Sequence, residues 1–362
     1  LGKVANLNLK SDVAELTREI CDIESVSGNE KQLADAIEAA LRNYPHLELL
    51  RDGDAIMART NLSRSKRVLI AGHLDTVPVA GNLPSKLMSF EREQVIFARG
   101  AVDMKAGVAV MLKLAAELVE PAMDVTWIFY DQEEIEASKN GLGRLVRSHP
   151  SWLVGDFAVL CEPTAATIEG GCNGTMRIEL SFDGVKAHSA RPWMGSNAIH
   201  KLHSSLKLLA EYEPKSIEVD GLVYRESLSA VMVSGGIATN VIPDQAKLTI
   251  NYRFAPSTSS SEAEQYLREL FVLGELTVID SAPGARPGLN SEEAKSFIAA
   301  VDCSVNPKYG WTDVARFSEL GIPAVNYGPG DPNKAHADDE NLPVSQIYAC
   351  EAGLRNWLTS NL

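Results

Sequence analysis

Runs of apolar, β-prone residues in this chain repeatedly end on a histidine or a carboxylate, and that pattern constrains the fold more than any other feature of the sequence. Val68 to Ala71 leads through Gly72 to His73 and Asp75. Val125 to Tyr130 leads to Asp131-Gln132-Glu133-Glu134, Phe157 to Cys161 leads to Glu162, and Ile322 to Tyr327 leads past Gly328-Pro329-Gly330 to His336. Predominantly apolar runs of this length suit strands buried on both faces of a parallel sheet. Their polar ends then gather at one edge, where open α/β sheets bind ligands.

Each site residue has a functional and a bland reading. His73 and Asp75, two apart on a strand, project to the same side. A ligating imidazole donates its other ring N–H to an acceptor that fixes its tautomer, and Asp75 is the candidate orienting carboxylate; the alternative is a loop histidine with an ordinary hydrogen bond. Asp103 lies in the Gly-flanked segment Arg99 to Gly107, ahead of the apolar run Val108 to Leu118, which reads as a buried helix. It is either a helix-capping carboxylate or a ligand. Glu133 and Glu134 are either a solvated charged loop or a pair in which one binds metal and the other holds the proton of an attacking water. The repetition outweighs any single motif, because the bland reading has to hold at every strand end independently.

Taken in order, Gly72-His73-Leu74-Asp75-Thr76-Val77-Pro78, Gly100-Ala101-Val102-Asp103-Met104-Lys105, Glu133-Glu134, Glu162-Pro163-Thr164 and Ala335-His336-Ala337-Asp338 resemble the metal motifs of the cocatalytic zinc aminoacylase and carboxypeptidase family. That family includes acetylornithine deacetylases and succinyl-diaminopimelate desuccinylases, and the resemblance covers nearly the whole chain. It implies a zinc-peptidase-like catalytic domain holding two Zn2+ per subunit, with Co2+ or Mn2+ as substitutes. Asp103 would bridge the ions, His73 and Glu162 completing one site and Glu134 and His336 the other, with Glu133 as general base and acid. Segments Gly310 to Phe317 and Asn326 to Asp331 are similar to the actinobacterial-type desuccinylase branch. They imply hydrolysis of N-succinyl-L,L-2,6-diaminopimelate in lysine and cell-wall precursor synthesis. Other N-acyl amino acid amidohydrolases, and a non-catalytic metal-stabilised binding protein, stand as alternatives. Two positions depart from the family pattern: Ala106 replaces a glycine, and Gln132 stands where an acidic residue is commoner.

After Gly170-Gly171-Cys172-Asn173-Gly174 the pattern changes to alternation, with Met176, Ile178, Leu180 and Phe182 separated by polar residues, which indicates a strand with one wet face. A helix over 196–212, strands over 228–234 and 247–254, a helix over 260–273 and a strand over 276–280 follow, a β-α-β-β-α-β order that suits a ferredoxin-like insert. The expected division is 1–174 plus 285–362 as the catalytic domain and 175–284 as an inserted lid and dimerisation domain. The resemblance implies that His188, in Lys186-Ala187-His188-Ser189, stabilises the oxyanion in the active site of a partner subunit, and hence a homodimer. It also implies that Asn240 and Arg253 bind substrate polar groups and carboxylate, with Arg177 and Thr312 as further candidates. His200 and His203 lack a third ligand and read as solvated surface.

The 362 residues, 45% of them apolar, are enough for two domains with substantial cores. A formal charge of −14 argues against nucleic acid and anionic membranes as partners. It also requires a locally basic pocket for an anionic substrate. Five cysteines, scattered and odd in number, suit free thiols in a reducing cytoplasm. Nothing in the sequence resembles a signal peptide or a membrane span, although Leu1 in place of Met leaves the start of the chain open. Helices broken at Ser25 to Asn29 open the chain, Ser27-Gly28 reads as a helix-capping turn, and the region 47–60 reads as short edge strands.

Overall fold

The computed structural model describes residues 7–90 and 93–360. The chain divides into two units: one runs to Gly170 and resumes over Gly288–Asn306 and from Arg316 onward, and the other comprises Gly171–Pro287 and Pro307–Ala315.

The first unit is an α/β structure on an eight-stranded mixed sheet. In spatial order the strands are Glu48–Asp52, Ala55–Arg59, Asp124–Tyr130, Arg67–His73, Phe157–Leu160, Ala324–Asn326, Ile168–Gly170 and Val305–Pro307. From Asp124–Tyr130 to Ala324–Asn326 the neighbours are parallel. Arg67 pairs with Asp124 and His73 with Tyr130, so the two strands release their chains at the same edge. Every residue of Asp124–Tyr130 is buried, the polar Asp124 and Thr126 along with the apolar rest, as suits a strand covered on both faces. The region 47–60 does form two strands, but only Glu48–Asp52 is an edge. Ala55–Arg59 pairs on both sides, because Ala55, Ile56, Met57 and Ala58 are all buried and supply apolar cover to both faces.

Helix Ala106–Glu117 follows Asp103 almost at once and is buried around most of its circumference, as an evenly apolar helix must be. Gly107 sets its approach: a Cβ there would lie 2.3 Å from the backbone oxygen of Cys161, the residue before Glu162. Further from the site, Phe297 packs edge-on to Trp357 and Tyr327 with ring centroids 4.9 and 5.4 Å apart, joining helices Glu292–Val301 and Val344–Thr359 to the sheet.

The second unit is a four-stranded antiparallel sheet in the order Ser227–Gly235, Gln245–Phe254, Gly174–Asp183, Glu275–Ala282, the ferredoxin-like arrangement. Met176, Ile178, Leu180, Ile250, Tyr252 and Phe254 form one core with Ala198, Leu202, Ala263 and Leu267 of the helices. The helix expected over 196–212 is two, Ala198–Lys201 and His203–Ala210, meeting at Leu202. Pro307–Ala315 groups with this unit, whereas the division expected from the sequence places the whole of 285–362 in the first. The segment is held by Asn173 N–H to Lys308 O at 3.2 Å and Trp311 Nε1–H to Pro283 O at 3.0 Å. No described helix is long and apolar enough to cross a membrane. All five cysteines are free, Cys303 partly exposed and the rest buried.

A methyl group at position 107 meets backbone, which cannot rotate out of the way. Gly107→Ala is expected to destabilise the fold by about 1–3 kcal/mol in denaturant unfolding. An unchanged midpoint would show that the helix does not depend on this contact.

Candidate metal centre

The site forms where the parallel strands end. His73 is the last residue of its strand and is buried. Its Nε2 lies 3.0 Å from Asp103 Oδ1, while the other carboxylate oxygen, Oδ2, lies 3.3 Å from His336 Nε2. His336 Nε2 also lies 2.8 Å from Glu134 Oε1. Asp103 thus faces two histidines, one with each oxygen. Donor atoms of His73, Asp103 and Glu162 lie within 4.8 Å of one another, and so do those of Asp103, Glu134 and His336. A third such group, His73, Glu133 and Glu134, places Glu133 beside the same cluster.

Two nitrogen-bearing and three carboxylate ligands, with one carboxylate common to both groups, fit a pair of divalent cations. The absence of thiolate from the set suits ions of borderline to hard character. Each group of three leaves room for a further ligand, as a catalytic site needs and a closed structural site does not.

Buried carboxylates hold the ligand-bearing loops. Asp75 does so differently from the sequence reading. The nearest acceptor to His73 Nδ1 is the Asp75 backbone oxygen at 3.0 Å, with the carboxylate at 3.5 Å. The Asp75 carboxylate instead accepts the N–H of Glu133 at 2.9 Å, the N–H of Glu134 at 3.0 Å and the Ser27 hydroxyl at 2.7 Å. Ser27 is therefore no helix cap. The following helix, Lys31–Leu41, has no side-chain cap at its start. Glu340 does the same work for Asp103, accepting N–H groups from Gly100, Val102 and Asp103 at 3.0, 2.9 and 3.2 Å and pairing with Arg99 at 2.9 Å. Arg99 also donates to Ala337 O at 3.0 Å, which ties the His336 loop to the Asp103 loop. Sequence reasoning missed Arg99 and Glu340, because nothing in the run Asp338-Asp339-Glu340 marks which acid turns inward.

Burial pulls the His73 imidazole down, but the Asp103 and Asp75 carboxylates outweigh it and hold it well above its ordinary range. Hydrogen bonds to Asp103 and Glu134 raise His336 to about 10. Burial pushes Asp103 up, and the two histidines reverse that and hold it well below the usual carboxylate range.

The second unit carries the remaining candidates. His188 lies in the two-residue strand Ala187–His188, paired with Val241–Ile242, and is exposed. Its Nδ1 accepts the Ala190 N–H at 3.1 Å, which leaves Nε2 as the proton-bearing nitrogen of the neutral ring. Ser189 N–H donates to Asn240 O at 2.9 Å, joining the two loops. Arg177 sits opposite Asn251 and Arg253 opposite Thr175, so both guanidinium groups belong to the sheet face away from the helices. Arg253 Nε donates to Asn251 Oδ1 at 3.1 Å, whereas Arg177 makes only a loose pair with Asp280 at 3.8 Å. Thr312 is buried, and its carbonyl oxygen lies 3.7 Å from Cys172 Sγ. His200 and His203 are exposed.

Two candidate ligand groups that share a carboxylate, at the carboxyl edge of a largely parallel sheet, fit a metal-dependent hydrolase of α/β type. The chain belongs to peptidase family M20/M25/M40, whose family model matches residues 69–360. It is 54% identical over 355 residues, 97% of this chain and 99% of the other, to a Mycobacterium tuberculosis protein named provisionally as a succinyl-diaminopimelate desuccinylase. It is 45% identical over 364 residues, 98% of each chain, to the succinyl-diaminopimelate desuccinylase of Corynebacterium glutamicum. A tripeptidase from Staphylococcus aureus shares the fold, with a TM-score of 0.79 at 20% identity over 98% of this chain and 99% of that one.

The carboxylates hold both imidazoles above their ordinary value, His336 to about 10, so metal binding there has to displace protons. Calorimetric titration of the metal-free protein in buffers of differing ionisation enthalpy is expected to show net proton release on metal binding at pH 7, with His336 as one source. The raised His336 stabilises the metal-free fold fully below its ordinary value of 6.5, and that contribution is lost as pH climbs to about 10. The depressed Asp103 contributes above 3.8 and is lost as pH falls through its lowered value. The metal-free protein should therefore lose thermal stability between pH 6.5 and 10 while its apparent metal affinity rises. Metal binding without proton release would contradict this charge assignment.

Proposed function

We propose that this chain hydrolyses N-succinyl-L,L-2,6-diaminopimelate to succinate and L,L-diaminopimelate, using two zinc ions per subunit. The observation that carries the reading is the pair Glu133-Glu134: Glu134 is committed to the ligand cluster beside His336, and its neighbour Glu133 is one more carboxylate at that cluster than the two ligand groups need. The substrate assignment rests on the two desuccinylase-named relatives matched over almost their full length. His73, Asp103 and Glu162 would hold one ion, and Asp103, Glu134 and His336 the other; Co2+ or Mn2+ suits the same nitrogen and oxygen donors. Bound there, the ions supply Lewis acidity to the scissile carbonyl and lower the pKa of the attacking water.

Glu133 takes one proton from that water as its oxygen bonds the carbonyl carbon and the carbonyl opens to a tetrahedral oxyanion, then delivers that proton to the departing nitrogen as the carbonyl re-forms and the C–N bond breaks; the amine leaves neutral and the remaining hydroxyl proton ionises to give the carboxylate. His188, its Nδ1 occupied by the Ala190 N–H, offers Nε2–H to the developing oxyanion. We assign it to the site of a second copy of the chain. The free edge of Ser227–Gly235, with Val231, Met232 and Val233 exposed by 57, 66 and 61%, supports pairing of two copies through the second unit. Arg253, Arg177, Asn240 and Thr312 are the groups proposed to receive the substrate carboxylates, the guanidinium fork being suited to bidentate pairing. The free cysteines support a cytoplasmic location.

The zinc-loaded protein is expected to prefer the succinylated substrate strongly over N-acetylornithine and simple N-acyl amino acids, and to lose turnover to a chelator. Glu133→Gln should keep its metal while kcat falls by about 100- to 10,000-fold. Preference for another acyl amino acid would overturn the substrate assignment and leave the chemistry. Loss of metal in Glu133→Gln would mean the two glutamates have each other's roles.

Mixing two inactive variants tests the trans arrangement. His188→Ala alone should lose about 100- to 1,000-fold in rate. Randomly reassociated with Glu133→Gln, it should recover about a quarter of wild-type activity, since half the dimers are mixed and each contains one intact site. No recovery would place His188 in the site of its own subunit.

A further inference from the structure

The turn that presents Glu133 and Glu134 is held by carboxylates at every step. The N–H of Gln132 goes to Glu30 Oε1 at 3.2 Å, and those of Glu133 and Glu134 go to the two oxygens of Asp75. Gln132 has φ of 56°, a left-handed conformation that a side-chain-bearing residue adopts only under constraint. A left-handed residue within a turn makes successive N–H groups converge into an anion-binding concavity. Here the anions are built in.

Glu30 is fully buried. Its Oε1 also accepts the Gly28 N–H at 2.8 Å, while Oε2 has no hydrogen-bond partner. It stands at the start of helix Lys31–Leu41, whose buried face of Leu33, Ala34, Ile37 and Leu41 anchors it. The loop leading to it is bonded to the end of the His73 strand. Ser25 Oγ donates to Leu74 O at 2.6 Å, Val26 bridges Thr76, and Ser27 Oγ donates to Asp75. One short segment, Ser25 to Glu30, therefore grips two strand ends at once: the His73 strand through Ser25, Val26 and Ser27, and the Glu133 strand through Glu30.

We propose that Glu30 is a positioning residue for the general base: by holding the Gln132 peptide it fixes the direction in which Glu133 leaves the turn. It acts through the backbone alone. The inference deepens the reading of Glu133 given above and rests on it for its kinetic consequence, whereas the clamp itself is a statement about the turn.

Two readouts keep these apart. In metal-free wild type the Gln132 amide should be protected from hydrogen exchange, and Glu30→Ala should speed exchange at residues 132–134 by about tenfold or more relative to the strand Asp124–Tyr130. With metal, Glu30→Ala should retain both ions and lose about 10- to 100-fold in kcat with KM within about threefold, as expected when a reacting group is misdirected rather than removed. Glu30→Gln retains an acceptor oxygen and should restore most of the turnover and the protection. An unprotected Gln132 amide in wild type, or unaltered exchange in Glu30→Ala, overturns the clamp whatever the activity. Equal losses in Glu30→Gln and Glu30→Ala overturn the acceptor role. If Glu30→Ala does not fold, wild-type exchange and Glu30→Gln decide the matter. Failure of wild type to hydrolyse any N-acyl amino acid counts against the functional reading, with the exchange data still judging the clamp.

Discussion

The first unit depends on how negative charge is distributed at one edge of its sheet. Asp75, Asp103, Glu133, Glu134, Glu162 and Glu340 gather there, with Glu30 immediately behind, and few of them reach solvent freely. Carboxylates buried without partners would be prohibitive. They divide into two sets with different solutions. Glu30, Asp75 and Glu340 turn to backbone N–H groups and so shape the loops. Asp103, Glu134 and Glu162 turn toward the histidines and remain a concentrated negative charge that a pair of divalent cations would balance. The first set makes the second possible, because ligand loops without internal acceptors would be free to swing the charges apart.

Asp75 shows why the type of acid matters. Its two oxygens meet the adjacent N–H groups of Glu133 and Glu134, and one of them also receives the Ser27 hydroxyl. An asparagine would offer one carbonyl oxygen and present an N–H group to a donor, leaving a buried mismatch. The Arg99–Glu340 pair has the same logic, with both charges almost fully buried. Breaking such a pair from one side leaves an uncompensated charge, generally worth about 3–5 kcal/mol. The machinery that orients the ligands is thus also part of what holds the fold.

What was legible in the sequence follows from range. Apolar runs declare buried strands, alternation declares the half-wet strand from Gly174 to Asp183, and a polar residue at the end of a run declares the edge at which it emerges. Local pattern left Asp103 undecided between cap and ligand, and only the family resemblance assigned ligands to ions. The supporting residues were illegible because their partners are remote. Glu30 meets Gln132 across 102 positions, Ser27 meets Asp75 across 48, and Glu340 meets Gly100 across 240. Ser27 reads as a cap for the same reason: a Ser-Gly pair before a helix has a local explanation ready, whereas its partner Asp75 lies 48 positions away, just past the strand that ends at His73. The placement of Pro307–Ala315 failed likewise, its contact with Asn173 spanning most of the inserted unit.

Gln132 gains a physical meaning once its surroundings are seen. An acidic side chain is the commoner expectation before the glutamate pair, yet here the backbone at 132 donates to Glu30, and Asp131 and Asp75 are close by. Burial and these neighbouring carboxylates already push the Glu30 carboxyl up, against the pull of its Gly28 N–H. One more negative charge at 132 would add to that repulsion. The glutamine amide instead points a donor at Asp131 Oδ2, at 3.4 Å, while Arg144 secures the other oxygen of the same carboxylate at 2.7 Å. A neutral donor at this position lets the turn keep its left-handed bend without adding like charge to a crowded edge. The departure from the family pattern is thus consistent with the proposed clamp on the turn that carries Glu133.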